Sequence, residues 1–376
     1  MARPRVTIVQ PYVPGYRVSF FEGLIAFLDE RGVDCVVVAE EASGEQALRG
    51  DAVERDWIQT VKSRSLKLGN RSVNLGGNRS VWSNSDIVII GLTGSSLDSH
   101  RAVIDDIRGR IKVGLWGHVK SYVSDGSRID YALERWQMRN ATRVFAYTPT
   151  GADFAAAAGV ERRNITTVMN AIDTDSLVTA KNQLDQSAVD EFVRTNGLIV
   201  SKTVGYIGGL DGPKRIDFIA DVLDELWRVD REVKLLVGGK GGQANLLMPA
   251  VTRGQAIHLG YAGDAEKALI GRTSTLLLSP GRIGLLSVDA LVLGVPLVTT
   301  PWPYHAPEAE YLVAGESRID APDDAIRFAR RVLDELEARA TSAQVPGIWW
   351  YPTLPQMIEN FGNGIMSMIV PPKARS

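Results

Sequence analysis

Short runs of β-branched and aliphatic residues alternate along the chain with stretches of helical period. In the first half, Val6–Val9, Val36–Val38, Ile87–Ile90, Ile111–Leu115, Arg143–Phe145 and Ile165–Val168 read as strands. Val18–Glu30 and Tyr131–Arg139 read as helices. The pattern lapses through the polar stretch Asp173 to Gln186. It restarts at Lys202–Ile207 and continues through strand runs at Lys234–Val237, Ala256–Leu259, Thr275–Leu278 and Pro296–Thr299, with helices at Ile216–Arg228, Asp264–Ile270 and Pro322–Ala340. This alternation predicts parallel strands joined by crossover helices, the doubly wound α/β class, whose ligand sites lie beyond the carboxyl ends of the strands.

The chain has 376 residues, and at ~150 residues per domain that predicts two such units. We place one at 1–176 and the other at 200–345, with a boundary near 175–200. Past Trp349-Trp350-Tyr351, Leu354 to Ile369 carries one more helix-like pattern, interrupted by Gly362 and Gly364, and the tail 353–376 is expected to pack back on the first domain.

Composition narrows the class. Apolar residues are 45 % and charged residues 23 %, with a net charge of −2, so a disordered chain and a nucleic-acid-binding polyelectrolyte are both excluded. The single cysteine, Cys35, rules out an internal disulfide framework and a cysteine-rich metal site and fits a reducing compartment. Val6–Val9 is too short before Pro11 for a secretion signal. The longest apolar stretch, Leu285 to Val298, is broken by Ser287, Asp289, Gly294 and Pro296. The expectation is a cytoplasmic protein. Lys62 to Asn84 differs, being rich in Arg, Ser, Asn and Gly, with Gly69-Asn-Arg-Ser-Val73 repeated as Gly77-Asn-Arg-Ser-Val81. The plain reading is a surface loop; the sharper one is a basic loop, 62–84, meeting an anionic acceptor or the inner membrane face as a peripheral contact.

Four stretches of the second unit carry chemistry. Gly205-Tyr-Ile-Gly-Gly-Leu-Asp-Gly-Pro-Lys-Arg-Ile-Asp217 is a strand running into a glycine turn, with Lys214 just ahead of a helix. Glycines admit a phosphate close to the backbone, the helix start supplies N–H groups, and the lysine supplies charge. Ser279 to Val298 reads as strand, glycine turn, helix with Asp289 inside, then glycine, proline and a buried strand.

In this order the second stretch resembles the donor-binding signature of the retaining glycosyltransferases of family 4 (glycosyl transferases group 1), which have the GT-B fold of two facing Rossmann-like domains with a cleft between them. Pro280, Gly284-Leu285, Ala290 and Gly294-Val-Pro-Leu-Val298 hold matching places. The resemblance implies that Asp289 binds the nucleotide ribose, with a shorter side chain than the family's Glu. The family's first acidic position falls on Gly281, beside Arg282, and the arginine of its diphosphate clamp falls on Gly209, next to Gly208, while Lys214 remains.

The remaining assignments follow the same resemblance. Ile257-His-Leu-Gly-Tyr261 matches the segment that meets the nucleotide base, so Leu259 and Tyr261 join Gly208, Gly209, Lys214, Arg282, Gly284, Leu285, Leu286 and Asp289 as donor-binding residues. In Pro303-Tyr-His-Ala-Pro-Glu-Ala-Glu-Tyr-Leu312, Pro307 with Glu308 and Glu310 makes a favourable helix start, and the alternative is that His305 or Glu308 faces the cleft. In the first unit Gly15 is a donor-phosphate candidate, and Tyr16 and Arg17 are acceptor candidates. His118, after the strand ending at Leu115, is assigned to the acceptor and to catalysis together with Lys214. Met169-Asn-Ala-Ile-Asp173 resembles the family's element leading to the interdomain linker.

The implied activity is transfer of a sugar, with retention, from a nucleotide-diphosphate sugar, UDP- or GDP-linked, to a saccharide, lipid-linked or small-molecule hydroxyl, in bacterial glycan biosynthesis. No cofactor or metal is expected: Asp173-Thr-Asp175 sits at the linker, and the four histidines are scattered. Two other readings stand beside it. The departures at Gly209 and Gly281 would suit a non-catalytic GT-B-like partner of another glycosyltransferase, and a nucleotide-sugar epimerase shares the architecture.

Overall fold

The computed structural model describes residues 2–42, 52–62, 65–68, 71–74, 79–119, 128–341 and 347–369. The chain divides into two compact units, 1–170 with 352–376, and 171–351.

The first unit is built on β1 (Arg5–Gln10), β2 (Asp34–Glu40), β3 (Ile58–Val61), an antiparallel pair β4 (Ser65–Leu68) and β5 (Arg71–Asn74), then β6 (Ile87–Gly91), β7 (Lys112–Gly117), β8 (Arg143–Ala146) and β9 (Ile165–Thr167). Its main sheet has the order β3-β2-β1-β6-β7-β8-β9 with every pairing parallel. Helices α1 (Val18–Asp29), α2 (Leu97–Ile107), α3 (Arg128–Asn140) and α4 (Pro149–Ala157) cross between strands. The central strands are buried almost throughout, because covering helices leave neither face to solvent, and their sequences therefore read as continuous apolar runs.

The second unit repeats the plan. Helices α5 (Thr174–Gln183) and α6 (Gln186–Thr195) lead into β10 (Thr203–Ile207), α7 (Ile216–Val229), β11 (Lys234–Gly238), β12 (Ala256–Gly260), α8 (Asp264–Thr273), β13 (Leu276–Leu278), α9 (Leu286–Leu293), β14 (Leu297–Thr299), β15 (Arg318–Asp320) and α10 (Ala325–Ala340). The all-parallel sheet runs β12-β11-β10-β13-β14-β15. Val204, Tyr206, Leu235, Val237, Leu276 and Leu278 pack with Ile219, Val222, Leu226, Phe328 and Val332 of α7 and α10. In each unit the order reverses beside the first strand, between β1 and β6 and between β10 and β13, which sets the two switch points where a doubly wound sheet opens a crevice.

The last helix, α11 (Leu354–Ile369), belongs to the first unit. Its apolar face, Met357, Phe361, Ile365 and Met368, is buried, and the Phe361 ring stacks on Phe145 with centroids 4.6 Å apart. Burying such a ring contributes roughly 2 kcal/mol. Gly364, a helix-weakening residue by propensity, lets the backbone approach Phe145, whose ring a Cβ there would meet at 2.5 Å.

Three sequence expectations are corrected here. The polar stretch from Asp173 is two capped helices, not a lapse of structure: the Asp173 carboxylate accepts the Ser176 N–H at 3.0 Å and the Asp185 carboxylate accepts that of Ser187 at 3.3 Å. Residues 171–176, placed in the first domain by the sequence reading, and 177–199, left between the two, fall in the second unit. The described part of 62–84 is not a plain loop either, since it forms the β4–β5 pair and a helical turn, Arg79–Trp82, whose Trp82 is buried. The rest of that segment, residues 63, 64, 69, 70 and 75–78, lies outside the described residues. No described helix is long and apolar enough to cross a membrane.

Candidate functional site

The carboxyl edge of the second sheet brings two loops together at its switch point, the turn after β10 and the loop after β13. Their contact is made by backbone groups and the Lys214 ammonium. Lys214 Nζ donates to the Arg282 carbonyl at 2.6 Å, and the Arg282 N–H donates to the Pro213 carbonyl at 2.9 Å. Gly281 lies under this contact. A Cβ at 281 would come within 2.5 Å of the Pro213 oxygen and 2.6 Å of the Lys214 carbonyl carbon, so the acidic side chain that the family resemblance places there has no room. Peptide backbone fills that space instead.

A second layer holds the β10 turn from behind. The Gly208 N–H donates to the Gly238 carbonyl and the Leu210 N–H to the Lys240 carbonyl, each at 2.9 Å, and Tyr206 Oη donates to the Gly209 carbonyl at 2.6 Å. The run Gly238-Gly239-Lys240-Gly241-Gly242 makes this approach feasible: a Cβ on Gly239 would overlap the Gly208 carbonyl oxygen. His258 closes the stack, its Nε2 2.7 Å from the Gly239 carbonyl. Among the described residues, no hydrogen bond engages the N–H groups of Gly209, Gly284, Leu285 or Leu286. Those at 284–286 open α9, so orphan donors and the positive end of the helix dipole stand at the crevice where an anion is stabilised.

Asp289 sits one turn into α9, a helix whose every residue is buried. Its Oδ1 accepts from Lys267 Nζ of α8 at 2.9 Å, a pairing with side-chain exposures of 8 % and 17 %. Burial pushes the Asp289 carboxyl above the usual carboxylate range, while the charge and hydrogen bond of Lys267 pull it back; Lys214 pulls the same way more weakly. For Lys267, burial opposes the ammonium, but the charge and hydrogen bond of Asp289 outweigh it and its pKa stands above the ordinary lysine value.

His305 does not present a free imidazole to the site. Its Nδ1 accepts the Ile283 N–H and its Nε2 faces the Thr300 carbonyl, each at 3.2 Å, so the ring is held as the Nε2–H tautomer bracing the β13 loop. Burial lowers its pKa, which keeps it neutral. Pro307 opens a short 3₁₀ turn, Pro307–Tyr311, with Glu308 buried in its first turn, in line with the helix-start reading. Arg215 adds a further brace: in left-handed backbone at φ 57°, it pairs with Asp323 at 2.5 Å and lies over the rings of Phe218 and Trp302 at 4.3 and 4.8 Å. Leu259 is half-buried near the end of β12 and Tyr261 follows that strand, 54 % exposed.

In the first unit the candidates gather at the carboxyl ends of β1, β7 and β8. Gly15, Tyr16 and Arg17 form the 3₁₀ turn that enters α1. Arg17 is 6 % exposed, with its guanidinium 5.3 Å from the Trp116 ring centre and between 5.4 and 5.9 Å from those of Tyr16, Phe20 and Tyr147. Its hydrogen-bond contact among the described residues is Met357 Sδ at 3.7 Å. His118 packs against the Tyr147 ring, centroids 4.7 Å apart, and is followed by Val119 at φ 64°, a costly conformation for a β-branched residue.

The sequence reading missed Lys267, Arg215 and the 238–242 glycine run. Gly-Gly-Lys-Gly-Gly directly after an apolar strand was a legible signal of close backbone approach. Lys267 had no motif to mark it, because its partner is 22 residues away on another helix.

Residues 201–338 match the family Glycosyl transferases group 1. Among solved structures, a glycosyltransferase from Rickettsia africae ESF-5 is similar at TM-score 0.67 and 10 % identity, with 100 % of each chain covered. Anabaena Alr3699/HepE in complex with UDP is similar at 0.63 and 12 %, over 97 % of this chain and 100 % of that one. The UDP-GlcNAc 2-epimerase of Methanocaldococcus jannaschii gives 0.59 and 12 %, over 96 % and 99 %. At these identities the likeness establishes the fold, two Rossmann-like α/β units of the GT-B class. The fold and the match over 201–338 together support a GT-B glycosyltransferase.

Proposed function

We propose that the protein is a retaining glycosyltransferase that takes a nucleotide-diphosphate sugar, with no metal, and delivers the sugar to a hydroxyl of a saccharide, lipid-linked or small-molecule acceptor in bacterial glycan biosynthesis. The observation that carries the reading is the second unit's switch point, where Lys214, the open N–H groups at Gly209 and 284–286, and Asp289 share one edge. In this reading the diphosphate lies over the N–H groups, Lys214 balances the charge that develops as the sugar–phosphate bond breaks, and Asp289 takes the ribose. The leaving phosphate receives the acceptor's proton, so no side-chain base is assigned. The first unit takes the acceptor through Tyr16, Arg17 and His118.

UDP is the first donor base to test, since Alr3699/HepE is described in complex with it. Epimerisation is less well supported. It needs groups that move protons at the sugar, and in the second unit both His258 and His305 are occupied by backbone partners. Thermal unfolding against UDP, GDP and ADP, with and without EDTA, tests the reading: a ligand at ~100 times its Kd adds roughly 2.7 kcal/mol. A selective shift unchanged by EDTA supports it, followed by NMR of the product's anomeric configuration, which must equal the donor's. No shift with any nucleotide would instead favour the non-catalytic partner.

A further inference from the structure

The Lys267–Asp289 pair has a geometry that ordinary core packing does not require. Asp289 uses Oδ1 on Lys267, whereas among the described residues its Oδ2 accepts no hydrogen bond. The carboxylate is not sealed in the interior either, since the Asp289 side chain keeps 8 % of its exposure. One oxygen of an otherwise buried carboxylate is therefore pinned and the other offered, at the edge that carries Lys214 and the start of α9. Lys267 is itself set by α8, whose first turn brings Asp264 Oδ1 to 4.0 Å from the same ammonium.

We propose that Lys267 is a positioning residue for nucleotide recognition: by pinning Oδ1 it turns Oδ2 toward a vicinal diol, making the pair the element that distinguishes a ribose from a sugar lacking those hydroxyls. This rests on the donor reading above. An ionised carboxylate accepts from hydroxyl donors, whereas a neutral acid offers one acceptor fewer and an unwanted donor. Burial alone favours the neutral acid, so the ammonium is what makes Asp289 a diol acceptor. The shorter Asp, where the family resemblance places Glu, needs this help most: a carboxylate one methylene further back is held deeper in the protein.

The test is a set of four calorimetric titrations, UDP and GDP each against its 2′,3′-dideoxy form, on the full chain and on Lys267→Met, Lys267→Arg and Asp289→Asn. The wild type should prefer the ribo form of its nucleotide by about tenfold, the scale of one hydrogen bond to a charged group. Lys267→Met and Asp289→Asn should lose most of that preference while binding the dideoxy form as the wild type does within about twofold, and Lys267→Arg should restore it. Unchanged dideoxy binding shows that the variants remain folded, a readout that a merely structural lysine would not produce. A Lys267→Met protein that keeps the full preference overturns the role of Lys267 while leaving the donor reading intact. A wild type without any preference overturns the diol assignment of Asp289 and this inference with it, and failure of all four nucleotides to bind overturns the donor reading as well.

Discussion

The carboxyl edges of the two sheets have the same topology and opposite chemistry. In the second unit, glycine backbone closes on glycine backbone, several N–H groups have no hydrogen bond among the described residues, and Lys267 pairs with Asp289 within the field of Lys214. In the first, Arg17 is enclosed by four aromatic rings and His118 lies against Tyr147. Two arginines make the contrast concrete. Arg215 of the second unit lies over Phe218 and Trp302 and pairs with Asp323, while Arg17 of the first has rings but, among the described residues, no carboxylate. Topology thus fixes where a crevice opens, and the residues at each edge decide its chemistry.

The sharpest way to break the comparison is through glycine. Gly281→Ala forces Cβ onto the Pro213–Lys214 backbone, and a loss of about 3 kcal/mol in denaturant unfolding is expected, together with loss of any nucleotide shift. Gly91→Ala at the end of β6, where a Cβ meets nothing within 4 Å among the described residues, should stay within about 0.5 kcal/mol. Equal effects at the two sites would remove the distinction between a closed and an open edge.

Next is Lys214→Ala, for which kcat/KM should drop about a hundredfold, or roughly 2.7 kcal/mol, with a much smaller change in unfolding midpoint because one hydrogen bond to Arg282 is lost. Unchanged kinetics would remove Lys214 from the mechanism. The arginine contrast predicts a smaller effect of opposite sign. Arg215→Met leaves the partly exposed Asp323 unpaired and should cost about 1 kcal/mol, whereas Arg17→Met replaces a buried cation that has no carboxylate partner among the described residues and should be neutral or stabilising by up to about 1 kcal/mol. If Arg17→Met also lowers turnover without losing stability, the residue is retained for ligand and not for folding. A clear loss of stability would mean that the aromatic rings alone compensate its burial.

The smallest effect expected is the pH response of His305. Its folded pKa is depressed by burial, so the unfolded chain binds the proton first. The stability it contributes is present above the ordinary histidine value near 6.5 and is lost as pH falls from there through the depressed folded value. Unfolding midpoints of the wild type and His305→Gln between pH 8 and pH 5 should converge toward the acid end. Parallel curves would mean that the ring is not held neutral.

Much of the fold was legible because buried parallel strands have an unmistakable composition. Val36–Val38 grows to Asp34–Glu40 and Thr275–Leu278 shrinks to Leu276–Leu278, yet each strand stands where its apolar run is. Polar helices were harder. The low apolar content after Asp173 concealed α5 and α6, which are held by capping and by contacts such as Lys181 Nζ to the Val292 carbonyl at 2.9 Å. The repeated pentapeptide is the clearest case of local sequence deciding nothing: its Arg-Ser-Val begins strand β5 at Arg71 and a helical turn at Arg79.

The α/β class, the two-unit plan, the glycine turn ahead of α7 and the acid inside α9 could all be read along the chain, because period, composition and turn chemistry are properties of neighbouring residues. That Gly281 has no space for an acid, that His305 is a brace and that Asp289 belongs to Lys267 emerges from the folded chain alone. Each of these depends on groups distant in sequence meeting within about 3 Å, where steric exclusion and a desolvated charge pair are strong and no local pattern records them.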